Sequence, residues 1–200
     1  MSNTEIFYHG TCVLFDKFSL SFVGTGQGGS KYGRGVNISS SYKTAALYAA
    51  KAAKNRGAEY CYVYTVEVPL LEESKSIFSN KPVNGEIVAR VEAAIGETMP
   101  DEVKVAGKLF RKYLGNLLTN KRSTVKKMMN AADDAAENAA AEFLSRHDVV
   151  YLAWPRAQTK PDGDTNRLVL NADDVKILKI EQVEVDSKNN LIEGSEKLIK

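Results

Sequence analysis

The pattern of apolar residues predicts strands near both ends of the chain. Residues 60–68 are rich in aromatic and β-branched side chains and are followed by Pro69, which is typical of a strand that ends there. Shorter apolar runs predict strands at 6–8 and 36–38, and again at 149–153, 167–170 and 175–185.

Helical spacing of apolar residues dominates the middle of the chain. Apolar side chains recur three and four positions apart in three runs between 84 and 146, with breaks at Pro100 and at Thr119 and Asn120. A separate helix is predicted to begin near Tyr42, after serines that can cap it, and to end at Gly57. Its core-facing stripe contains Ala46, Leu47, Ala50 and Ala53.

Strands at both ends and helices between them predict an α+β fold, a β-sheet core with a mostly helical insertion. We assign residues 1–82 and 148–187 to the core, 83–147 to the helical insertion and 188–200 to a polar C-terminal tail. A chain of 200 residues is long enough to bury a real hydrophobic core.

Composition indicates an ordinary globular chain: 44% of residues are hydrophobic and 26% are charged. The sequence contains no apolar run of membrane-spanning length and no secretory signal, so we expect a cytoplasmic protein that contacts no membrane. Cys12 and Cys61 are too few for a disulfide framework, and we interpret both as small core residues. No Cys and His spacing suggests a metal site, so no metal is expected.

Basic residues are concentrated in one segment, although the net charge is only +2. Eight of them fall between 104 and 127 with no acidic residue among them: Lys104, Lys108, Arg111, Lys112, Lys121, Arg122, Lys126 and Lys127. The last four cluster at a predicted helix start, where cations oppose the helix dipole, and we interpret them as target-binding residues that contact phosphates. A solvated helix face, or contact with an acidic protein, would explain the same pattern.

Three short segments carry the candidate chemistry. The first is Phe7-Tyr8-His9-Gly10-Thr11, and the second runs from Tyr32-Gly33-Arg34-Gly35-Val36-Asn37 to Ala45 and Tyr48. The third is Thr165-Asn166-Arg167-Leu168-Val169-Leu170-Asn171. Each segment alone is a weak signal, but their order and the ungapped spacing from 32 to 48 raise the joint significance.

Together these segments resemble the ADP-ribosyltransferases of the diphtheria-toxin and poly(ADP-ribose) polymerase type. The resemblance implies a split β-sheet core that holds NAD+ as a substrate. It implies that His9 hydrogen-bonds a ribose hydroxyl, that the backbone of Gly10 holds the nicotinamide amide, and that Tyr48 stacks on the nicotinamide. The other residues that match NAD+-binding positions are Thr11, Gly35, Asn37 and Ala45, and the glycine-rich loop 24–35 would wrap the adenosine side.

The chain departs from the family pattern at three positions. Ala45 replaces a serine, Asn37 replaces an aromatic residue, and Asn166 stands where the family has its catalytic glutamate. A neutral amide can orient the ribose 2′-hydroxyl but supplies no full charge to the positive transition state. The resemblance therefore implies transfer of a single ADP-ribose rather than chain elongation, with Asp164 or Asp162 as an alternative source of the carboxylate.

The sequence thus predicts an NAD+-dependent mono-ADP-ribosyltransferase, a toxin or effector that modifies a macromolecular acceptor. RNA is slightly preferred over DNA or protein because of the basic segment, and an antitoxin or inhibitor protein is a possible partner. Two alternatives remain open: a catalytically inactive module that binds NAD+ or ADP-ribose, and a basic nucleic-acid-binding protein. Taken singly, each residue also has a purely structural interpretation: His9 as an ordinary hydrogen-bonded residue, the glycines as a mobile loop and Tyr48 as core filler.

Overall fold

The computed structural model describes residues 3–22, 32–120, 133–155 and 165–200. Within them, eight strands form one mixed sheet. The strands are β1 (Thr4–Thr11), β2 (Val36–Ser39), β3 (Cys61–Pro69), β4 (Ser76–Phe78), β5 (Tyr151–Pro155), β6 (Thr165–Val169), β7 (Lys176–Val183) and β8 (Lys197–Leu198). The helices are α1 (Tyr42–Arg56), α2 (Gly85–Ile95), α3 (Asp101–Lys104), α4 (Gly107–Leu118) and α5 (Asp134–Arg146).

The sheet has a narrow seam at its centre. Its strand order is β4-β5-β6-β2-β1-β3-β7-β8, and all neighbours are antiparallel except β4 and β5. β1 pairs with β3 along its whole length, from Thr4 to Thr11, whereas its register with β2 contains the single pair of Tyr8 and Ser39. The predicted α+β fold is confirmed, and the split in the sheet takes the form of two four-stranded halves joined at this seam.

Helix α1 covers the half that contains β1 and β3. Ser41 caps its first turn by accepting a hydrogen bond from the Thr44 amide, and Gly57 ends it in the left-handed conformation at φ 62°. Both ends were predicted from the sequence. The buried face consists of small side chains, which let the helix lie close to the sheet: Ala45, Ala46, Ala49, Ala50 and Ala53. Leu47, predicted within this face, is only partly buried.

The helical insertion covers the other half on the same face of the sheet. Helices α2, α4 and α5 pack onto Ile77, Leu152 and Leu168 of β4, β5 and β6. Helices α4 and α5 approach closely at Gly115, where a β-carbon would stand 2.2 Å from the carbonyl oxygen of Ala136. None of the helices in the described ranges is long and apolar enough to cross a membrane.

The opposite face of the sheet buries a second core beneath the segment 12–22. Strand alternation brings Phe7, Val36 and Val169 to this face, and Phe18 from the segment packs over them. Tyr64 of β3 is fully buried here, and its hydroxyl accepts a hydrogen bond from the amide of Phe15 at 2.8 Å. This core fixes the path of the chain immediately after the first motif.

Two short edge strands were not predicted. β4 has three residues and β8 has two, too few to show alternation. β8 lies in the tail 188–200 and pairs with β7, and the amide of Ile180 donates to the carbonyl of Lys200 at 2.8 Å. The first strand is also longer than predicted, because β1 continues through His9 and Gly10 to Thr11.

Candidate active site

His9 lies at the seam, one residue beyond Tyr8, the single position at which β1 pairs with β2. Its Nδ1 is 2.7 Å from the carbonyl oxygen of Asn37 on β2. A carbonyl can only accept, so Nδ1 carries the proton and donates. The imidazole therefore links β1 to β2 just beyond the single backbone pair of Tyr8 and Ser39.

Aromatic rings surround the imidazole of His9. The ring centroids of Phe18, Tyr64 and Phe15 lie 5.1, 6.1 and 6.3 Å from it. The loss of water around the ring lowers the pKa of His9, and the hydrogen bond to Asn37 only partly opposes this effect. His9 is therefore neutral at pH 7, and Nε2 is an acceptor. Within the described ranges no side chain or amide donates to Nε2.

Gly10 lets helix α1 lie directly on β1. A β-carbon at Gly10 would stand 1.7 Å from the carbonyl oxygen of Ala45 and 3.0 Å from the amide nitrogen of Ala49. Ala45 is 1% exposed, so its side chain is part of the packed interface. The hydroxyl of Thr11 accepts a hydrogen bond from the amide of Val13 at 3.2 Å and so stabilises the turn that leads away from the site.

Tyr48 is positioned by the same helix but faces outward. Thr44 and Tyr48 are one turn apart on one face of α1. Thr44 is 1% exposed and Tyr48 is 45% exposed, so this face passes from the interior to the surface along a single turn. The Nζ of Lys51 is 5.9 Å from the centroid of the Tyr48 ring. Tyr48 is therefore not core filler, and its ring is accessible for stacking.

Asn166 is buried with an unsatisfied acceptor. The residue is 4% exposed, and its Oδ1 has no hydrogen-bond partner among the residues that the structure describes. It pairs with Ser39 on β2 and with Trp154 on β5. A buried amide oxygen without a partner costs about 1–3 kcal/mol, so a water or a ligand hydroxyl that reached Oδ1 would be stabilised there. Three other buried side-chain atoms of the described residues share this condition: Ser76 Oγ, Arg90 Nε and Asn138 Oδ1.

The strand register brings the predicted catalytic residues His9 and Asn166 to the same seam, but it places their side chains on opposite faces of the sheet. Tyr8, Ser39 and Asn166 form one row across β1, β2 and β6. Adjacent strands are about 4.8 Å apart, so the backbone of Asn166 lies about 10 Å from that of Tyr8. His9 follows Tyr8 and points to the other face of the sheet, where it packs on Phe18 and Tyr64. Tyr48 reaches the same region only through the contact of α1 with Gly10, and none of the described contacts joins its ring to His9 or Asn166.

Two glycines of the second motif, Gly33 and Gly35, pack closely against neighbouring elements. At Gly33, with φ 87°, a β-carbon would stand 2.4 Å from the carbonyl oxygen of Glu137 on α5. At Gly35 it would stand 2.5 Å from Cγ of Leu168. Both glycines are thus required by close packing, and Gly35 is buried against β6 rather than open to solvent. The side chain of Arg34 donates to the carbonyl of Leu20 at 2.9 Å, and the side chain of Asn37 is exposed.

One ion pair beside the site was missed at the sequence level. Arg167, which follows Asn166, forms a two-pronged ion pair with Glu5 on β1. Its guanidinium lies 4.3 Å from the centroid of Phe7 and 5.1 Å from that of Tyr151. The pair spans the seam on the face opposite α1 and fastens the two halves of the sheet. An arginine inside an apolar strand is the available signal, but sequence does not identify a partner 162 residues away.

The basic segment is less positive than its sequence suggests. Lys104 pairs with Glu92 at 2.9 Å and with Asp101 at 3.1 Å, and Arg111 forms a buried ion pair with Glu137. These acids lie outside the segment, so an inspection of 104–127 alone overestimates the field. The predicted target-binding residues Lys121, Arg122, Lys126 and Lys127 lie outside the described residues, as do Asp162, Asp164 and most of the glycine-rich loop.

The remaining candidates are thiols, metal sites and surface depressions. Cys61 is buried and Cys12 is partly buried, and both are free. Among the described residues, no three His, Cys, Asp or Glu side chains are grouped to hold a metal ion.

One shallow depression lies beside Leu14 and Ile199, and another lies beside Phe18 and Ala172. Neither contains Tyr48 or Asn166, and the second approaches the site only through Phe18, which packs on His9.

Comparison with known proteins adds little to this description. No protein-family model matches the chain, and no curated protein has significant sequence similarity to it. Among solved structures, the chain is similar to a chain of the M. tuberculosis MbcT-MbcA toxin-antitoxin complex. The identity is 12%, the TM-score is 0.45, and the match covers 90% of this chain and 84% of the other. This similarity assigns no role to any residue of the chain.

Proposed function

We propose that this chain is an NAD+-dependent mono-ADP-ribosyltransferase, a toxin that modifies a macromolecular acceptor. The observation that carries the proposal is Asn166: a buried amide at the motif position of the catalytic glutamate, with an acceptor oxygen that has no partner in the described structure. His9, on β1 across the seam, offers a second acceptor at Nε2. A dinucleotide that uses both acceptors passes between the halves of the sheet beyond the single pair of Tyr8 and Ser39, where β1 and β2 separate.

Each site residue has a role that its own chemistry supports. NAD+ supplies an ADP-ribosyl group on a weak C1′–nitrogen bond, which breaks with its electron pair leaving on nicotinamide while the acceptor bonds to C1′ and releases a proton. His9 accepts from a ribose hydroxyl through Nε2, and Asn166 orients the 2′-hydroxyl through Oδ1. Tyr48 offers an exposed ring face for stacking on nicotinamide, and the backbone of Gly10 binds its amide.

Slow turnover is expected, because Asn166 is neutral. Breaking the bond builds positive charge on the ribose, and a preorganised charge near it typically contributes about 10²–10³ in rate. Replacing Asn166 by Glu restores that charge and should raise nicotinamide release. The same substitution at Asn55, an exposed position of α1, is the matched control and should leave the rate of nicotinamide release unchanged. An indifferent Asn166→Glu variant that folds normally would direct attention to Asp164.

The decisive experiment is incubation of the purified chain with NAD+ labelled in the nicotinamide ring or in the phosphates. Free nicotinamide should accumulate, and phosphate label should appear on RNA, DNA or protein. The chain has two histidines, so His147→Ala is a natural control for His9→Ala. His147 lies at the end of α5, with its ring centroid 4.3 Å from that of Phe143. We expect activity to survive the His147 change and to disappear with the His9 change.

Other results would favour the alternatives. If NAD+ binds but stays intact, the chain is a binding module, a reading favoured by the missing carboxylate at Asn166. If NAD+ does not bind and RNA binds with a steep salt dependence, the chain is a basic nucleic-acid-binding protein. Mass spectrometry of nucleic acid and protein from cells that express the chain would identify the acceptor by an added ADP-ribose. Co-purification from the source cells would test for an antitoxin.

A further inference from the structure

A three-part stack joins the helical insertion to the second motif. The rings of Tyr32 and Trp154 lie parallel, with centroids 3.9 Å apart and an angle of 13° between their planes. The guanidinium of Arg111, on α4, lies 5.2 Å from the centroid of Tyr32. Tyr32 therefore contacts both a ring on β5 and a cation on the insertion, and the faces of aromatic rings attract such cations.

Arg111 is itself fixed by a buried partner. It pairs with Glu137 on α5, and the two side chains are 3% and 7% exposed. Burial lowers the pKa of Arg111 and raises that of Glu137, while their mutual attraction works in the opposite direction in each case. A buried ion pair usually gives little net stability compared with apolar residues of similar volume. Its value here is better explained by positioning, because it holds the guanidinium of Arg111 near the ring of Tyr32.

The stack ends beside the site. Trp154 is the direct neighbour of Asn166 across β5 and β6. On the other side, Tyr32 is followed by Gly33, which packs on the backbone of α5, and then by β2, whose Asn37 carbonyl binds His9. A shift of Arg111 would thus reach both Asn166 and His9 through a short chain of packed groups.

We propose that Arg111 is a positioning residue for the NAD+ site, so that the helical insertion sets the geometry of substrate binding as well as any choice of acceptor. This inference rests on the proposed function. Arg111 acts through Tyr32 and Trp154 and does not touch the substrate itself.

Trp154 provides a direct readout, because it is the single tryptophan of the chain. The test uses two variants. Arg111→Lys keeps the charge opposite Glu137 but loses the planar guanidinium. The double variant Arg111→Met with Glu137→Leu removes both charges and leaves no uncompensated ion. The matched control is Lys104→Met with Glu92→Gln. It removes an ion pair of the same insertion that has no contact with the stack, and it keeps the oxygen that accepts from the Met99 amide.

Thermal unfolding first establishes that each variant is folded. Both Arg111 variants should then show greater quenching of Trp154 fluorescence by acrylamide and a fall of about 10²-fold in kcat/KM for nicotinamide release, the typical cost of small misplacements in a site. The control should match the parent in both measurements. The Arg111→Lys variant keeps the ion pair, so a purely structural role of Arg111 predicts a normal kcat/KM for this variant. A positioning role predicts a reduced kcat/KM.

Three results would overturn the inference. Unchanged quenching in folded Arg111 variants would mean that the guanidinium does not hold the stack. Increased quenching with unchanged kcat/KM would mean that the stack does not position the site. If the parent protein neither binds nor cleaves NAD+, the proposed function fails and the positioning role toward NAD+ fails with it. The quenching comparison would still decide independently whether Arg111 orders the Tyr32 and Trp154 rings.

Discussion

Replacing Gly10 by Ala tests the contact on which the site geometry depends. The added β-carbon would lie 1.7 Å from the carbonyl oxygen of Ala45, whereas ordinary contacts begin at 3.4 Å, so α1 and β1 must separate by up to 3.4 − 1.7 = 1.7 Å. The obstacle is helix backbone, which cannot rotate away as a side chain can. Overpacking of a core typically costs 1–3 kcal/mol, and we expect about 3 kcal/mol here.

The measurement is a comparison of unfolding free energies from denaturant titration. For a chain of this length, 3 kcal/mol corresponds to a fall in Tm of roughly 6–12 °C. Gly85→Ala is the matched control, because it is the same chemical change at the first residue of α2 with no atom within 4 Å of the new β-carbon. It should be neutral or slightly stabilising. If the free energy of unfolding of the Gly10→Ala protein lay within about 0.5 kcal/mol of the parent value, the close packing of α1 on β1 would be refuted.

Three further predictions concern stability. Folding lowers the pKa of His9, so below pH 6.5 the unfolded chain binds a proton at this residue more readily than the folded chain does. The free energy of unfolding should therefore fall as the pH drops below 6.5, by at most about 1.4 kcal/mol per pH unit. A His9→Gln variant should lose this contribution in denaturant titrations at about pH 5–7. Ser41→Ala removes the cap of α1 and should cost about 1 kcal/mol in the same titration, and no loss would mean that the cap does not form in solution. Glu5→Gln leaves Arg167 without its anion and should lower the free energy of unfolding by about 3 kcal/mol, the low end for a buried pair because Glu5 is 26% exposed. A variant as stable as the parent would contradict the view that this ion pair fastens the two halves of the sheet.

Local signals in the sequence predicted local structure well. The ends of α1 follow from a capping serine and a glycine, and β3 follows from its β-branched run. Long-range pairing is different in kind, because it depends on register. That Asn166 pairs with Ser39, at the seam that also contains His9, could be expected only through the family resemblance, since no property of residues 165–171 specifies their neighbours.

The positive charge of the basic segment is overestimated from sequence for the same reason. Arg111 reads as part of an uninterrupted basic segment, but it is buried with Glu137 and lies near the Tyr32 ring. Gly33 and Gly35 read as part of a ligand-binding loop, and the structure adds that both pack closely against α5 and β6. In each case the contacting group lies on another element, so the segment alone does not reveal it.

The central claim is that one NAD+ molecule bridges His9 and Asn166 at the seam of the sheet, and a crystal structure with a non-cleavable NAD+ analogue tests it most directly. The account predicts a ribose hydroxyl within hydrogen-bonding distance of Nε2 of His9, another near Oδ1 of Asn166, and the nicotinamide ring against Tyr48. An analogue bound on the helical insertion away from the seam, or a seam whose strands close without it, would contradict the account.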